Sequence, residues 1–337
     1  IQDPPSMQYS HQMADSIPQV LNGTAYPTYG QFLSIMQYFA DKYPEICTID
    51  TIGFSVQNRL ILAARLTKFS GELHEKPVVS ISSTIHGDEL PGYSMLIMLI
   101  NKILKENDLD FQDRLLRNSV IIIAPLENPD GTYANSDTLV SGARRTNANF
   151  VDLNRNYPDF IKGENPDGYD RQKESLAMMQ YLQSFMPSIS ANIHAGAEVV
   201  NYPWDNNLSF HPDDEWFNFI SREYADTARY YYPGYMNSDE FDDGVIRGAL
   251  WYIVYGGRQD YVTYFLDGRE LTLELSEIKS PPADMITDIW NANYRSLLNF
   301  ISQASYGIHG KVYDPVNKKP LNAKINIEGY DQESSRI

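Results

Sequence analysis

Apolar residues recur at helical spacing in several stretches of the chain. From Tyr29, the apolar positions Phe32, Met36 and Phe39 repeat at intervals of three and four, which predicts an amphipathic helix that ends before Pro44. Comparable patterns predict further helices over residues 93–104, 172–185, 213–230 and 284–303. The chain therefore has enough helical segments to cover a sheet.

Short runs rich in β-branched or small residues lie between these helices. Residues 77–85 are rich in β-branched and small residues, and residues 119–125 are almost wholly apolar, which is typical of strands buried on both faces. Further strands are predicted over residues 46–52, 60–66, 189–194, 261–265 and 271–275. Because buried strands alternate with helices, the pattern predicts an α/β fold in which helices cover both faces of one sheet.

The two ends of the chain differ in character from this central part. Residues 1–27 are polar and contain prolines, so we expect an irregular N-terminal arm. Residues 306–330 contain two alternating segments around a turn, which predicts a β-hairpin. A lone hairpin is marginally stable in water, so this segment is either an arm on the main domain or the opening of a β-sandwich. We expect a main domain over residues 1–305 and the start of a second one over 306–337.

Composition narrows the classes of function. With 337 residues and 42% hydrophobic residues, the chain is typical of a globular protein, and it has no apolar run long enough to cross a membrane. A net charge of −17 argues against nucleic-acid binding and favours the approach of cationic partners. The single cysteine, Cys47, excludes an internal disulfide framework.

Histidines and a glutamate follow two of the predicted buried strands. His86 and Glu89 stand three residues apart at the start of a predicted helix, so both side chains are placed to bind one ion. The alternative is a surface histidine beside an ordinary acidic residue at a helix N-terminus. His194 ends another predicted strand, where α/β proteins build their sites. Two histidines and one glutamate form a ligand set of catalytic zinc sites.

Two further groups of polar residues suit the binding and chemistry of a ligand. In the segment that begins at Asp152, the amide of Asn154 stands beside the guanidinium of Arg155, a pair suited to bind a carboxylate ligand. The alternative is a polar loop whose side chains form hydrogen bonds within the loop. Glu274 interrupts an apolar strand, where a carboxylate is either a general base facing a cleft or an outward-facing residue.

Taken together and in this order, these motifs resemble the zinc metallocarboxypeptidase family over residues 28–303. The resemblance implies a mixed, twisted sheet and one zinc ion held by His86, Glu89 and His194. It also implies that Asp152 orients His86. The regulatory carboxypeptidases of the D, N, E and M kind are the most similar branch, and residues 306–330 then resemble the opening of their transthyretin-like β-sandwich.

The resemblance also implies roles in catalysis and in recognition of a peptide C-terminus. Glu274 corresponds to the general base. Arg145, rather than Arg144, corresponds to the arginine that stabilises the oxyanion. The substrate's terminal carboxylate is then expected to be bound by the side chains of Asn154, Arg155 and Tyr252.

A pocket for the departing side chain is implied by two more positions. Asp205, in the stretch NYPWD, resembles the pocket acid of the regulatory branch, and Gln259 resembles its polar companion. An acid at the base of such a pocket favours Lys or Arg. Arg247 stands where those relatives carry a neutral residue, and an inward-pointing Arg247 would pair with Asp205 and change this preference.

Other functions share part of this pattern. The same zinc site could instead act on cell-wall peptides, on peptides with acidic or neutral C-terminal residues or, in a deacylase, on acylated amino acids. A binding module with an inactive site is the alternative that is not an enzyme. The carboxylate-binding residues argue against a deacylase, and the complete set of ligands and base argues against an inactive site. Because the chain begins at Ile1 and carries no signal peptide, we expect a mature or trimmed form of a secreted or periplasmic protein.

Overall fold

The computed structural model describes residues 11–68, 76–106, 108–307, 310, 312–321 and 323. In these residues the strands form one sheet of eight, in the order β1-β2-β4-β3-β5-β8-β6-β7. The strands are β1 Cys47–Phe54, β2 Leu60–Leu66, β3 Val78–Ser83, β4 Val120–Ala124, β5 Ile189–His194, β6 Ala197–Tyr202, β7 Val245–Arg247 and β8 Arg269–Ser276.

The sheet is mixed, as expected. Its centre, β4-β3-β5-β8, is parallel, whereas β1 and β2 on one side and β6 on the other pair antiparallel to their inner neighbours. The chain leaves β3 for β4 on one side and then crosses to β5 on the other. Strand order therefore reverses between β3 and β5, which is where sites form in open α/β sheets.

Helices cover both faces of the sheet. They are α1 Ile17–Leu21, α2 Tyr29–Lys42, α3 Pro91–Leu104, α4 Leu109–Asn118, α5 Pro129–Thr132, α6 Lys173–Phe185, α7 Asp214–Tyr231, α8 Gly248–Trp251, α9 Arg258–Phe265 and α10 Ala283–Ser302. Along β4, Ile121 and Ile123 join the large core under α2, α3, α7 and α10, while Val120 and Ile122 pack towards α6. This alternation confirms the predicted α/β class.

One predicted strand is wrong. Residues 261–265 belong to helix α9, which begins after Gly257 and ends at Phe265. Its aromatic and β-branched residues, YVTYF, are typical of strands, but their positions are fixed by packing: Tyr261 and Val262 are buried against the sheet while Tyr264 lies outside. Tertiary contacts thus override the local preference.

The predicted ends of the chain are only partly described. Residues 1–10 lie outside the described residues, and the rest of the expected irregular arm contains helix α1, which a Ser16–Gln19 capping box begins. Near the C-terminus, Tyr313 and Pro320 form an isolated bridge around a turn, while most of the predicted second strand lies outside the described residues. The division into two domains stays a prediction. Among the described helices, none combines the length and apolar character that crossing a bilayer requires.

Candidate functional site

The site lies at the carboxyl ends of three adjacent parallel strands. His86 follows β3 by three residues, His194 is the last residue of β5, and Glu274 lies on β8 directly opposite His194 in the strand register. Because β3, β5 and β8 are neighbours, residues far apart in sequence meet at one edge of the sheet. This brings together the two motifs predicted at strand ends and Glu274, which was predicted within a strand.

His86, Glu89 and His194 form a buried cluster whose ligand atoms all lie within 4.8 Å of one another. Glu89 Oε1 is 3.0 Å from His86 Nδ1, and Glu89 Oε2 is 2.8 Å from His194 Nδ1. Gly87 in the same loop has no room for a side chain, since a Cβ there would lie 2.4 Å from the carbonyl carbon of Gly131. The loop after β3 therefore packs tightly and directs both of its ligands inward.

The donor atoms of this cluster fit a metal ion. The Nδ1 atoms of His86 and His194 are 3.1 Å apart, and His86 Nε2 lies 3.1 Å from Asp152 Oδ1. If His86 donates its Nε2–H to Asp152, its Nδ1 carries a lone pair that points at the other ligand atoms. Two imidazole nitrogens and a carboxylate, all buried, match the preferences of zinc.

Asp152 links the metal ligands to Arg145. Arg145 Nε donates to Asp152 Oδ2 over 2.9 Å, and Arg145 Nη1 lies 3.5 Å from Glu89 Oε1. Burial would raise the pKa of Asp152, but neighbouring His86 and Arg145 hold that pKa below its ordinary value. Arg144 instead stacks over Phe150, 4.5 Å from the ring centroid. The structure thus places Arg145, and not Arg144, beside the cluster.

Glu274 is buried beside the cluster with one oxygen uncommitted. Among the described residues, its Oε2 atom is buried and has no hydrogen-bond partner. Burial and the nearby Glu89 carboxylate raise the pKa of Glu274 well above its ordinary value. A carboxylate of raised basicity with a free oxygen is suited to accept a proton from a ligand or water.

Asn154, Arg155 and Tyr252 lie around the same cleft. The backbone N–H of Arg258 donates to Asn154 Oδ1 over 2.9 Å, which leaves the amide Nδ2 as a donor for a ligand. The Tyr252 side chain is 42% exposed, and Glu274, Arg155 and other charged groups of the site act on its hydroxyl. An amide, a guanidinium and a phenol thus offer donors from three directions.

Asp205 is a buried acid between loops at the end of β6. Its Oδ1 atom accepts hydrogen bonds from Asn201 Nδ2, at 3.1 Å, and from Gln259 Nε2, at 3.0 Å. Gly248 lies against it, since a Cβ on Gly248 would be 1.7 Å from Asp205 Oδ1. Burial raises the pKa of Asp205 to about 6. The predicted pair of Asp205 and Gln259 is therefore in direct contact.

Arg247 does not pair with Asp205. Its buried guanidinium lies 4.1 Å from the ring centroid of Phe210, and it acts on Asp214 rather than on Asp205. No ion pair joins Arg247 to Asp205 in the part of the chain that the structure describes. The charge of Asp205 is thus not cancelled by the arginine that the sequence brought into question.

Sequence reasoning missed two cations of the site. Lys279 Nζ lies 3.8 Å from Glu89 Oε1, close to the metal ligands. Arg258 is fully buried beneath the cleft and pairs with Glu127 and Glu270. The position of Lys279 in the stretch SEIKSPP, just after Glu274, could have indicated its place near the site. Arg258 pairs with residues outside its own segment, so the local sequence does not indicate its role.

Comparisons with known proteins agree with this geometry. The profile of the family described as zinc carboxypeptidase matches residues 32–296. Carboxypeptidase SOL1 of Arabidopsis thaliana is 33% identical over 312 residues, covering 90% of this chain and 61% of that protein. Carboxypeptidase D of Mus musculus is 32% identical over 343 residues, covering 96% of this chain and 24% of that protein. The chain thus spans less than two thirds of either relative.

A solved structure shares the fold. Carboxypeptidase A from Helicoverpa armigera superposes with a TM-score of 0.69 at 19% identity, over 87% of this chain and 76% of that one. This likeness concerns the arrangement of strands and helices, and it agrees with the mixed sheet and flanking helices seen here.

Proposed function

Because the chain belongs to the zinc carboxypeptidase family, we propose that it is a zinc-dependent exopeptidase that removes single residues from peptide and protein C-termini, with a preference for Lys and Arg. The observation that carries the hydrolytic part is the buried triad of His86, Glu89 and His194 with Glu274 beside it. The buried carboxyl of Asp205 supports the preference for a cationic side chain. An extracytoplasmic location stays a prediction from the sequence.

Each residue of the site has its own role in the hydrolysis. When bound, zinc supplies a Lewis acid and lowers the pKa of a coordinated water. Glu274 accepts the proton of the attacking water and delivers it to the leaving amine. Arg145 stabilises the negative charge that develops on the scissile carbonyl oxygen. Arg145 is already held by its hydrogen bond to Asp152, and Glu274 is buried with an oxygen that has no partner among the described residues.

Recognition of the terminal carboxylate makes the enzyme an exopeptidase. Asn154 Nδ2 and the Arg155 guanidinium supply hydrogen-bond donors, and the exposed Tyr252 closes over the bound end. A chain that continues more than one residue beyond the scissile bond would place no carboxylate against these donors, which costs binding energy. Free C-termini of cell-wall peptides are compatible with the same donors.

Replacing Asp205 by Asn is expected to lower kcat/KM for a peptide ending in Arg by roughly 10- to 100-fold, because hydrogen bonds to charged groups contribute about 1.5–3 kcal/mol. A matched peptide ending in Leu should change by less than about twofold. Glu215→Gln, which removes a negative charge from an exposed position in the first turn of α7, is the control and should leave both values unchanged. Steady-state kinetics on the two peptides, with a third ending in Glu, measure this.

Asp205→Asn also distinguishes the titration of Asp205 from that of other groups. Burial raises the pKa of Asp205 to about 6, and Arg155, Glu270, Asp260 and Tyr252 are the titratable groups that face it. Its charge is present above this pH, so the wild-type ratio of Arg to Leu cleavage should fall as pH drops through about 6. In Asp205→Asn the ratio should be flat. Faster wild-type cleavage of the Leu or Glu peptide at neutral pH would contradict the basic preference.

A further inference from the structure

Asp260 binds the backbone of the segment that carries the pocket acid. It lies in the first turn of α9, next to Gln259, and is 2% exposed. The backbone N–H of Asp205 lies 3.0 Å from Asp260 Oδ1 and 3.2 Å from Oδ2, and the N–H of Asn206 donates to Oδ2 over 3.0 Å. Both carboxylate oxygens of Asp260 are thus engaged by the two residues at the base of the pocket.

A second buried acid holds the same segment from the other side. Asp159 Oδ2 accepts from Asn206 Nδ2 at 3.0 Å and from the N–H of Gly256 at 3.1 Å. Segment 205–206 is therefore held to α9 by Asp260 and to the turn that precedes α9 by Asp159. Among the described residues, the carboxyl of Asp205 accepts hydrogen bonds from the side-chain amides of Asn201 and Gln259, so Asp260 adds a hold on the backbone that these side chains do not provide.

This arrangement brings the carboxyl groups of Asp205 and Asp260 together in a buried region. Burial and the carboxylate of Asp205 raise the pKa of Asp260 well above its ordinary value, while the two backbone N–H donors oppose that rise. A buried acid retained beside another acid costs stability unless its hydrogen bonds offset the repulsion. An apolar residue at position 260 would avoid that cost but would leave the N–H groups of Asp205 and Asn206 without this acceptor.

We propose that Asp260 is a positioning residue for substrate selection, which holds Asp205 where its carboxylate meets a cationic side chain. This inference rests on the proposed preference for Lys and Arg. Asp260 makes no contact with the metal ligands or with Glu274 among its described hydrogen bonds, so the hydrolytic groups do not depend on it directly. Its effect is therefore confined to substrates that use the acid of the pocket.

Asp260→Asn tests this inference. The amide keeps one acceptor oxygen but turns its NH₂ group towards a backbone N–H, so segment 205–206 must shift. We expect kcat/KM for the Arg peptide to fall about tenfold, mainly through KM, because the shift moves Asp205 away from the cationic side chain. The Leu peptide should change by less than about twofold. Asp159→Asn, acting on the same segment through Asn206, should shift the ratio in the same direction and serves as second variant if Asp260→Asn does not fold.

A matched control distinguishes positioning from a general loss of stability. Glu174 is another buried acid that accepts a backbone N–H, from Val56 at 2.9 Å, and it lies at the start of α6. Glu174→Gln should lower the melting temperature without changing the Arg to Leu ratio. Equal losses on both peptides in Asp260→Asn, or an unchanged ratio, would overturn the positioning role. A wild-type enzyme without any preference for Arg would instead refute the proposed specificity.

Discussion

Replacing Glu274 by Gln is expected to lower kcat for peptide hydrolysis by about 10²- to 10⁴-fold, the usual contribution of a general base. Gln has the shape of Glu but does not accept a proton at neutral pH. Because Glu274 Oε2 has no protein hydrogen-bond partner among the described residues, the exchange breaks no contact of the fold there. It also removes a buried charge near Glu89, so the free energy of unfolding should not decrease.

The control for this variant lies on the neighbouring strand. Glu198 is on β6 and bonds the backbone N–H of Met236, away from the cluster of metal ligands. Glu198→Gln removes the same charge and should keep kcat close to the wild-type value. Steady-state kinetics, zinc content and thermal unfolding of both variants give the comparison. Turnover by Glu274→Gln within about threefold of wild type would show that Glu274 has only a structural role.

Loss of a metal ligand is the second large effect. His194→Ala is expected to weaken zinc binding by more than about 100-fold, because even changes to the partners of zinc ligands typically cost 10- to 100-fold. Glu89 contacts both histidines, so in this variant His86 and Glu89 remain without the third ligand of the set. The only cysteine, Cys47, lies buried in β1 and the large core, and it offers no replacement ligand.

Another buried histidine provides the control for that experiment. His211 is 5% exposed and its Nδ1 accepts the backbone N–H of Asp213, outside the cluster. His211→Ala should retain one zinc per chain with wild-type affinity. Competition with a chromogenic chelator measures the affinity directly and needs no enzymatic assay. Full zinc occupancy in His194→Ala at wild-type affinity would mean that the assigned ligand set is wrong.

The sequence predicted those parts of the site that rest on local spacing. His86 and Glu89 stand three residues apart after a buried strand, and His194 ends another, so periodicity placed each at a strand end, and the resemblance to the family joined them in one site. The α/β class followed from the same buried strands. These features depend on patterns a few residues long, which a single sequence displays.

Features that depend on pairing between remote segments were not predictable. Strand β7 has three residues, and β6 lies between β7 and β8, so pairing with neighbours defines these strands more than their own residues do. Residues 261–265 were assigned to a strand because their contact with the sheet, and not their composition, determines the helix. Asp260 gave no signal at all, since its partners are backbone groups of residues 54 and 55 positions away.

Some site features became clear only from the direction of a side chain. Sequence alone left open whether Arg247 pairs with Asp205, and the stacking of Arg247 on Phe210 answers that question. Similarly, Arg144 and Arg145 are neighbours in sequence, but one stacks on Phe150 and the other bonds Asp152. Adjacent residues of one type point in different directions in a loop without regular structure, so spacing cannot distinguish them.

Cleavage of one peptide with two different C-terminal groups tests the central claim most directly. The purified, zinc-loaded protein is incubated with a peptide ending in Arg, once as the free acid and once as the C-terminal amide, and the products are identified by mass spectrometry. The account predicts that the free acid loses its terminal Arg and that the amide reacts at least about 100-fold more slowly, because the donors of Asn154 and Arg155 then lack their charged partner. Equal reaction of both forms, or fragments from internal cleavage, would contradict it.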